Sequence, residues 1–275
     1  MPLRRFSAVL IALVCAFSFT AQAEGLLRER IKERLQERRA ESGESKGPGI
    51  LRNRQNQSKA DETITLDGRE VAIWKPSTPG RHPLILFSHG FGGCNTQSTF
   101  LMEALAADGY LVAAPTHKDA KCGSHSFARP DEPFRNAESW TEKTYIDRRD
   151  DMEAVLSGLH DDRAWRAKID WDRVGLAGHP LGGYTVLALA GGWRSWEVPE
   201  TTAVLALSRY GRPFTAHDTM KELFAPVMYQ GGTRDMGITP TVKKPDGCYD
   251  QSPSPAIFVE FQGAGHLAWT DLQSD

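Results

Sequence analysis

From Ile64 onward, short apolar runs alternate with segments whose apolar residues recur at helical spacing. The run from Leu84 to Phe87 has no polar position, which is typical of a parallel strand buried on both faces. The segment from Tyr145 to Leu159 carries its apolar residues on one helical face. Strands that alternate with helices predict an α/β fold, in which a mostly parallel central sheet is covered by helices on both faces.

The other elements are predicted from the same patterns. Residues Ile64 to Ile73 form a predicted hairpin with Asp67-Gly68 as its turn. Further helices are predicted from Thr99 to Ala107 and after the glycine-rich segment, through Ala190. The remaining predicted strands are Leu111 to Ala114, Arg173 to Ala177, Ala203 to Leu207, Pro226 to Tyr229 and Ala256 to Phe261.

Composition narrows the class of protein. The chain has 275 residues, of which 40% are hydrophobic and 25% charged, so it can bury one sizeable core. Its net charge of -2 gives no basic field, so we do not expect it to bind nucleic acid. Nothing in the sequence predicts an oligomeric state.

The N-terminus has the pattern of a signal peptide over residues 1–23. Arg4 and Arg5 form its charged start, and the apolar stretch from Phe6 to Phe19 is too short for a stable membrane span. Ala21-Gln22-Ala23 matches the small-x-small cleavage pattern. We therefore expect cleavage near Ala23 and export to the periplasm or the medium; an uncleaved anchor is the alternative.

Residues 24–60 differ from the rest of the chain. Leu27, Ile31 and Leu35 form a thin apolar stripe in an Arg/Glu-rich run, and a linker-like stretch rich in Ser, Gly and Asn follows. This charged arm could touch a membrane surface or a partner, or it could be a solvated leader. The α/β domain is predicted to cover residues 61–275.

Three cysteines remain after the predicted signal: Cys94, Cys122 and Cys248. Cys94 and Cys122 each follow a predicted strand, and the two strands are expected to be neighbours. In an oxidising compartment this makes them the candidate disulfide, with two free thiols as the alternative and Cys248 left over. No His/Cys cluster has metal-ligand spacing, so no metal site is predicted.

The strongest local motif runs from Val174 to Gly183, where a strand enters a glycine-framed turn and then a helix. This is the context of the G-x-S-x-G nucleophile elbow, in which a serine lies on a sharp, strained turn. Gly178, His179 and Gly182 fit the elbow. Pro180 occupies the position of the nucleophile.

An acid and a histidine follow in the chain order of the α/β-hydrolases. Asp235 ends the loop after a predicted strand, and His266 lies in the loop after the last strand. In an active site of this kind, His266 would accept the proton of the nucleophile and Asp235 would fix its tautomer. Each residue alone could be structural; their positions relative to the elbow favour the catalytic interpretation.

An oxyanion hole is also predicted. Residues Ser88 to Gly93 follow the first parallel strand, where α/β-hydrolases place an HG-type loop. The backbone N–H groups of Phe91 and Leu181 would then point at the carbonyl oxygen of a bound ester. A glycine-rich turn needed only for packing is the alternative.

From about Ile64 to Leu272, the chain resembles bacterial dienelactone-hydrolase-like and platelet-activating-factor-acetylhydrolase-like esterases. The resemblance implies an α/β-hydrolase fold, carboxylic-ester hydrolysis through an acyl-enzyme, no cofactor, and triad roles for Asp235 and His266. The matching stretches are Leu86 to Cys94, Gly109 to His117, Tyr145 to Leu159, Asp170 to Gly183, Gly231 to Pro240 and Gly263 to Leu272.

Two features depart from this family. Proline has no nucleophilic atom, and it fixes φ near about −65°, whereas the elbow serine has a positive φ. Pro180 should therefore rebuild the turn and shift the Leu181 N–H. Relatives also continue with a helix that covers the sheet, but the chain ends at Asp275, so we expect this C-terminal helix to be missing and His266 to be less firmly held.

Three hypotheses follow for function. The chain could be an inactive or impaired ester hydrolase, or a pseudoenzyme that binds a small ester, an acyl or aromatic ligand, or a protein partner. Alternatively, Pro180 and the short end are accidents in an ordinary esterase gene. Thr185 and Cys94 do not lie at the elbow apex and are not expected to replace the nucleophile. The loop from His117 to Thr141 carries Phe127, Phe134 and Trp140, and it either overhangs the pocket or packs as an ordinary loop.

Overall fold

The computed structural model describes residues 59–122 and 129–271. The predicted signal peptide and the arm up to residue 58 lie outside the described residues and stay predictions. In the part of the chain that is described, no helix has both the length and the apolar character needed to cross a bilayer.

Within these residues, eight strands form one sheet in the order β1-β2-β4-β3-β5-β6-β7-β8. The strands are β1 (Glu62–Leu66), β2 (Arg69–Trp74), β3 (His82–Ser88), β4 (Leu111–Pro115), β5 (Ile169–Gly178), β6 (Thr201–Leu207), β7 (Val227–Gly232) and β8 (Ala256–Phe261).

The sheet is mostly parallel, as the sequence predicts. Only β1–β2 and β2–β4 are antiparallel among the pairs of this sheet, and the five pairs from β4–β3 to β7–β8 are parallel. The predicted hairpin is β1–β2. Its turn residues Asp67 and Gly68 have φ of 45° and 75°, the left-handed conformation that a tight two-residue hairpin turn requires.

The helices follow the strands along the chain. They are α1 (Thr99–Ala107), α2 (Ile146–Asp161), α3 (Arg163–Arg166), α4 (Leu181–Leu187), α5 (Arg212–Ala216), α6 (Thr239–Lys243) and α7 (Cys248–Gln251). Short 3₁₀ turns cover Ala137–Ser139, Arg194–Trp196 and Met220–Glu222.

The helix after the glycine-rich turn is shorter than predicted. Regular α-helix ends at Leu187, and a π-helical turn continues over Ala188–Gly192. Inside this turn Gly191 departs from helical geometry with φ of 117°, a conformation that glycine adopts without a steric penalty.

The central strands supply the core and aim their carboxyl ends at one edge of the sheet. All of β4, and β3 from Leu84 to Ser88, are buried, as expected for strands covered on both faces. Strands β3, β5, β6, β7 and β8 run in the same direction, so the loops that follow them meet at the same edge. Open α/β sheets bind their ligands at this edge.

The last strand is the least covered part of the sheet. The residues of β8 are only partly buried, and the Phe261 side chain is 41% exposed. The loop after β8 is nevertheless tied to the start of α1, because the Asp271 carboxylate accepts hydrogen bonds from the N–H groups of Thr99 (2.9 Å) and Phe100 (3.3 Å). Residues after 271 lie outside the described part, so the missing C-terminal helix stays a prediction.

Candidate active site

The predicted elbow is a turn in which strand, helix and neighbouring loop lie too close for side chains. A Cβ on Gly182 would lie 1.8 Å from the carbonyl oxygen of Ser88, and one on Gly178 would lie 2.3 Å from the carbonyl oxygen of Gly182. Real Cβ atoms do not approach this closely, so both positions require glycine. The glycine frame of the elbow is therefore intact.

Pro180 lies at the start of α4 with φ of -74° and ψ of -36°, an ordinary right-handed helical conformation. The positive φ of an elbow serine is thus absent at this position, as expected from the proline ring. The elbow still contacts the loop at residues 89–98, here called the oxyanion loop after its predicted role, because a Cβ on Gly90 would lie 2.6 Å from Pro180 Cδ. Position 180 therefore keeps its place in the site but has neither the strained backbone nor the nucleophilic atom.

Asp235 and His266 come together from the loops after β7 and β8. These loops are in close contact, since the Arg234 N–H donates a 2.9 Å hydrogen bond to the carbonyl oxygen of Ala264. Asp235 is buried, and its two carboxylate oxygens lie 3.2 Å and 3.3 Å from His266 Nδ1. A carboxylate can only accept, so Nδ1 carries the proton and Nε2 of the neutral ring is left as an acceptor.

Ser208 contacts both residues of this pair, although nothing in the sequence predicts it. It follows β6, is fully buried, and adopts a positive φ of 42° that is uncommon for a residue other than glycine. Its hydroxyl donates to the Asp235 carboxylate and lies 3.0 Å from His266 Nδ1. The strained backbone and these two contacts point to Ser208 as a functional residue, and neither is visible in the sequence.

The surroundings of Asp235 favour its charged form. Burial alone would raise the pKa of this carboxyl group, but hydrogen bonds from His266 and Ser208 outweigh burial and hold the pKa below its usual range. Asp235 is therefore a stable negative partner for a histidine that takes up a proton.

His179 links three loops of the site through hydrogen bonds. Its Nδ1 accepts from Gln97 Nε2 at 3.1 Å, and its Nε2–H donates to the carbonyl oxygen of His266 at 2.8 Å. Gln97 Oε1 in turn accepts from the Gly90 N–H at 2.9 Å. Burial and the nearby His266 lower the pKa of His179 to about 3, so His179 is neutral near pH 7. The elbow, the oxyanion loop and the histidine loop are thus held together by one neutral histidine.

A cavity of about 630 Å³ opens at this site. Pro180 and His266 both line it, and Asp235 lies buried behind the histidine. Six apolar or aromatic side chains of the wall are Phe91, Phe134, Leu181, Tyr210, Ile238 and Leu267. The volume and the lining suit a small apolar ligand.

The two predicted oxyanion residues also line this cavity. Phe91 belongs to the loop after β3, and Leu181 is the first residue of α4, where backbone N–H groups have no partner within the helix. Within residues 59–122 and 129–271, neither N–H group finds a hydrogen-bond acceptor. Two residues with free backbone donors therefore line the cavity that His266 also lines.

The candidate disulfide is not formed in the structure. Cys94 and Cys122 do follow neighbouring strands, β3 and β4, but both are free thiols. Cys94 is buried with its Sγ 3.6 Å from Thr96 Oγ1, whereas the exposed Cys122 directs its thiol at the carbonyl oxygen of Gly93. The thiols have different partners, and Cys248 is also free and buried.

The aromatic residues of the loop after β4 have different roles. Phe134 lines the cavity and packs edge-on against Phe91, with ring centroids 5.4 Å apart. Trp140 is fully buried and belongs to the core. Phe127 lies outside the described residues. Both interpretations of this loop, as pocket wall and as ordinary packing, are therefore correct for different parts of it.

A mostly parallel sheet with an elbow, an acid and a histidine in this chain order defines the α/β-hydrolase class, and this protein has that arrangement. Comparison with known proteins narrows this class. The chain belongs to the chlorophyllase family, whose sequence model matches residues 47–208. That match includes the oxyanion loop and the elbow and ends at Ser208, before Asp235 and His266.

Individual relatives agree with this class of esterase-type hydrolases. A platelet-activating factor acetylhydrolase from Gallus gallus is 25% identical over 164 residues, with coverage of 46% of this chain. The match covers 38% of the length of that curated relative.

Solved structures share the fold. An alpha-beta serine hydrolase homologue from Coxiella burnetii has a TM-score of 0.53 and 19% identity, with 76% of this chain and 90% of that chain covered. A predicted CIB-like hydrolase from Thermoplasma acidophilum has a TM-score of 0.53 and 16% identity, with 74% and 87% covered. At these identities the likeness shows the fold alone. The prediction of an α/β-hydrolase fold and an esterase-type family is confirmed.

Proposed function

We propose that this chain carries the site of a serine carboxylic-ester hydrolase in which Pro180 has replaced the nucleophile, so that ester hydrolysis is abolished or strongly impaired. One observation carries the proposal. Pro180 lies at the elbow apex and lines the same cavity as His266, yet it has no hydroxyl or thiol that could form an acyl-enzyme.

The other groups of the site fit the chemistry of acyl transfer. A serine hydroxyl at position 180 would give its proton to His266 Nε2 as the oxygen attacks the ester carbonyl. Asp235 accepts the Nδ1–H bond and would stabilise the resulting imidazolium. The free N–H groups of Phe91 and Leu181 would stabilise the oxyanion, and His266 would return the proton to the leaving alcohol. No step needs a cofactor.

Three other residues could be considered as nucleophiles, and their contacts argue against each. Thr185 is buried in α4, where its hydroxyl donates to the Leu181 carbonyl oxygen. Ser208 donates to Asp235 and contacts His266 on the Nδ1 side, away from the nitrogen that would serve as base. Cys94 lines the cavity but belongs to the oxyanion loop, with Thr96 as the neighbour of its thiol.

The cavity supports an ester with an apolar acyl or alcohol part as the ligand. Most of its exposed wall is apolar, although charged residues such as Lys121 and Arg212 also line it, and mainly apolar pockets bind small apolar ligands. The match to an acetylhydrolase supports an ester-type ligand as well.

The test compares the parent chain with Pro180→Ser and Pro180→Ala on p-nitrophenyl acetate and butyrate. Loss of the catalytic serine in a well-studied serine protease costs about 10⁶-fold in kcat. Because the introduced serine must also recover the elbow backbone, we expect Pro180→Ser to gain at least about 10³-fold over the parent. Pro180→Ala relieves the proline constraint without adding a nucleophile and should stay at the level of the parent.

Two results would contradict the proposal. One is rapid turnover by the parent, because another residue would then have to act as nucleophile. The other is a folded Pro180→Ser variant that hydrolyses no ester, because the Asp235–His266 pair would then not be a catalytic pair. Circular dichroism and thermal unfolding establish that each variant is folded.

A ligand-binding pseudoenzyme is the second candidate, and the intact cavity favours it. Position 180 has lost the nucleophile, but the apolar wall and the two free N–H donors remain. A binding role predicts that the parent binds 2-undecanone, an apolar carbonyl compound that cannot be hydrolysed, and that Phe134→Ala weakens this binding. Isothermal titration calorimetry measures both; no binding to the parent would exclude this role for apolar carbonyl ligands of this size.

A further inference from the structure

Arg148 is a fully buried arginine that contacts the oxyanion loop and lies outside the Asp235–His266 pair. Arg148 lies in the first turn of α2, and its guanidinium group extends beneath the loop that follows β3. One terminal nitrogen donates to the carbonyl oxygen of His89 at 2.8 Å. The other lies 3.4 Å from the carbonyl oxygen of Gly90 and donates to both carboxylate oxygens of Asp119 at 2.9 Å.

Two further groups, His89 Nδ1–H and the Gly93 N–H, donate to the carbonyl oxygen of Gly90. His89 Nε2 accepts from the His117 N–H at 3.0 Å, so Nδ1 carries the proton and donates to the Gly90 oxygen at 2.7 Å. The N–H of Gly93 also donates to this oxygen, at 3.0 Å. The Gly90 carbonyl is therefore fixed toward the protein interior.

The geometry of the Gly90–Phe91 peptide bond fixes the direction of the Phe91 N–H. In a planar trans peptide, the C=O and the N–H of the following residue point in opposite directions. Because the Gly90 C=O points at Arg148 and His89, the Phe91 N–H points away from them. This N–H has no acceptor among the described residues, and Phe91 lines the cavity.

A second buried network holds Arg148 itself. Arg148 donates to Ser88 Oγ at 3.2 Å, and the Ser88 hydroxyl donates to His117 Nε2 at 2.8 Å. His117 Nδ1–H then donates to Asp151, which also accepts from Arg69. This Ser–His–Asp series resembles a catalytic triad, but Ser88 and His117 are buried and neither lines the cavity described above. Its geometry suits a support, because Ser88, His117 and Asp151 each have hydrogen-bond partners in this network.

We propose that Arg148 is the positioning residue of the oxyanion hole: by holding the carbonyl groups of His89 and Gly90, it aims the Phe91 N–H into the cavity. This inference rests on the proposed function in one respect, namely that the Phe91 N–H is an oxyanion donor. The orientation of the Phe91 N–H can be tested without any catalysis.

The catalytic test uses the Pro180→Ser background. Arg148→Lys keeps the charge and the aliphatic stem, but one ammonium nitrogen replaces the two separated guanidinium nitrogens that contact His89, Gly90 and Asp119. Displacement of a catalytic group by about 1 Å costs about 100-fold in rate, so we expect kcat to fall about 100-fold with KM changed less than about threefold. Arg69→Lys is the matched control, since Arg69 joins the same network through Asp151 but contacts no carbonyl of the oxyanion loop; its kcat should stay within about threefold.

The second test uses the chain with Pro180 and monitors backbone amides by NMR. In the parent we expect the Phe91 amide to exchange with solvent faster than the Gly93 amide, which donates to the Gly90 oxygen. Arg148→Lys should shift the Phe91 signal and speed exchange at Gly93, whereas Arg69→Lys should leave both unchanged. Should Arg148→Lys not fold, Asp119→Asn loosens the same guanidinium group and should give the same changes at smaller amplitude.

The outcomes separate the two proposals. An inert Pro180→Ser variant together with the expected amide changes would refute the proposed function and support Arg148 as a positioning residue. Equal losses of kcat in Arg148→Lys and Arg69→Lys would show a merely structural role and overturn the inference. A Phe91 amide as protected as that of Gly93, or one that does not respond to Arg148→Lys or Asp119→Asn, would overturn it as well.

Discussion

Ser208 offers a test of the site that needs no catalytic activity. Its hydroxyl donates to the buried Asp235 carboxylate, and its backbone has a φ of 42°. Ser208→Ala removes the hydroxyl and keeps the strained backbone. Ser208→Gly removes the hydroxyl and relieves the strain, because glycine adopts a positive φ readily.

The magnitude follows from these contacts. A hydrogen bond to a charged group contributes about 1.5–3 kcal/mol, so Ser208→Ala should lower the free energy of unfolding by about 2 kcal/mol. For a domain of this size, about 2 kcal/mol corresponds to a fall in Tm of about 4–8 °C. A left-handed conformation costs a non-glycine residue about 1–2 kcal/mol, so Ser208→Gly should regain at least about half of the loss.

The pH dependence has a defined sign. The pKa of Asp235 is lower in the folded than in the unfolded chain, so its stabilisation is present above the unfolded value of about 4 and is lost as the pH falls through the folded value. Ser208→Ala removes one of the hydrogen bonds that lower this pKa. The difference in stability between parent and variant should therefore be largest near neutral pH and narrow below about pH 4.

Urea unfolding of the three proteins at several pH values measures both effects. Equal stability of the parent and Ser208→Ala near neutral pH would refute the hydrogen bond to a charged Asp235. A difference that widens as the pH falls would refute the assigned sign of the pKa shift.

Two further predictions concern the elbow and the thiols. Gly182→Ala should lower the free energy of unfolding by about 3 kcal/mol, because its Cβ would collide with a backbone oxygen. Gly175→Ala is the control and should cost less than about 1 kcal/mol, because its Cβ would be 3.7 Å from its nearest neighbour. Urea unfolding compares the two variants, and equal costs would contradict the close packing of the elbow. Under native conditions, iodoacetamide should modify the exposed Cys122 and spare the buried Cys94 and Cys248; peptide mass spectrometry locates the label, and an unreactive Cys122 that becomes reactive only after reduction would show that the disulfide forms.

Much of the fold could be predicted because its signals are local. Apolar runs of strand length and a one-sided apolar helix gave the order of elements, and the predicted bounds of α1 and β8 agree with the structure. The motif around Pro180 was visible because two glycines at fixed spacing are required by a close approach of backbones. Chain order then placed Asp235 and His266 at one edge of the sheet.

The parts that could not be predicted depend on contacts between distant segments. Ser208 is one of several serines that follow an apolar run, and only the adjacency of β6 and β7 brings it to Asp235. Arg148 appeared in the sequence as a charged residue of an amphipathic helix, which usually means a solvated face. Arg148 is buried because it pairs with Asp119 and with the carbonyl oxygens of His89 and Gly90. No sequence pattern predicts these partners. The structure has Cys94 and Cys122 as free thiols for a related reason: neighbouring strands do not determine where two thiols point.

We propose that position 180 alone prevents acylation at this site, and active-site labelling tests this proposal most directly. The parent and Pro180→Ser would each be treated with a fluorophosphonate and examined by intact-mass and peptide mass spectrometry. We predict no adduct on the parent and one adduct on Pro180→Ser, at the introduced serine. An adduct on the parent, or none on a folded Pro180→Ser variant, would contradict it.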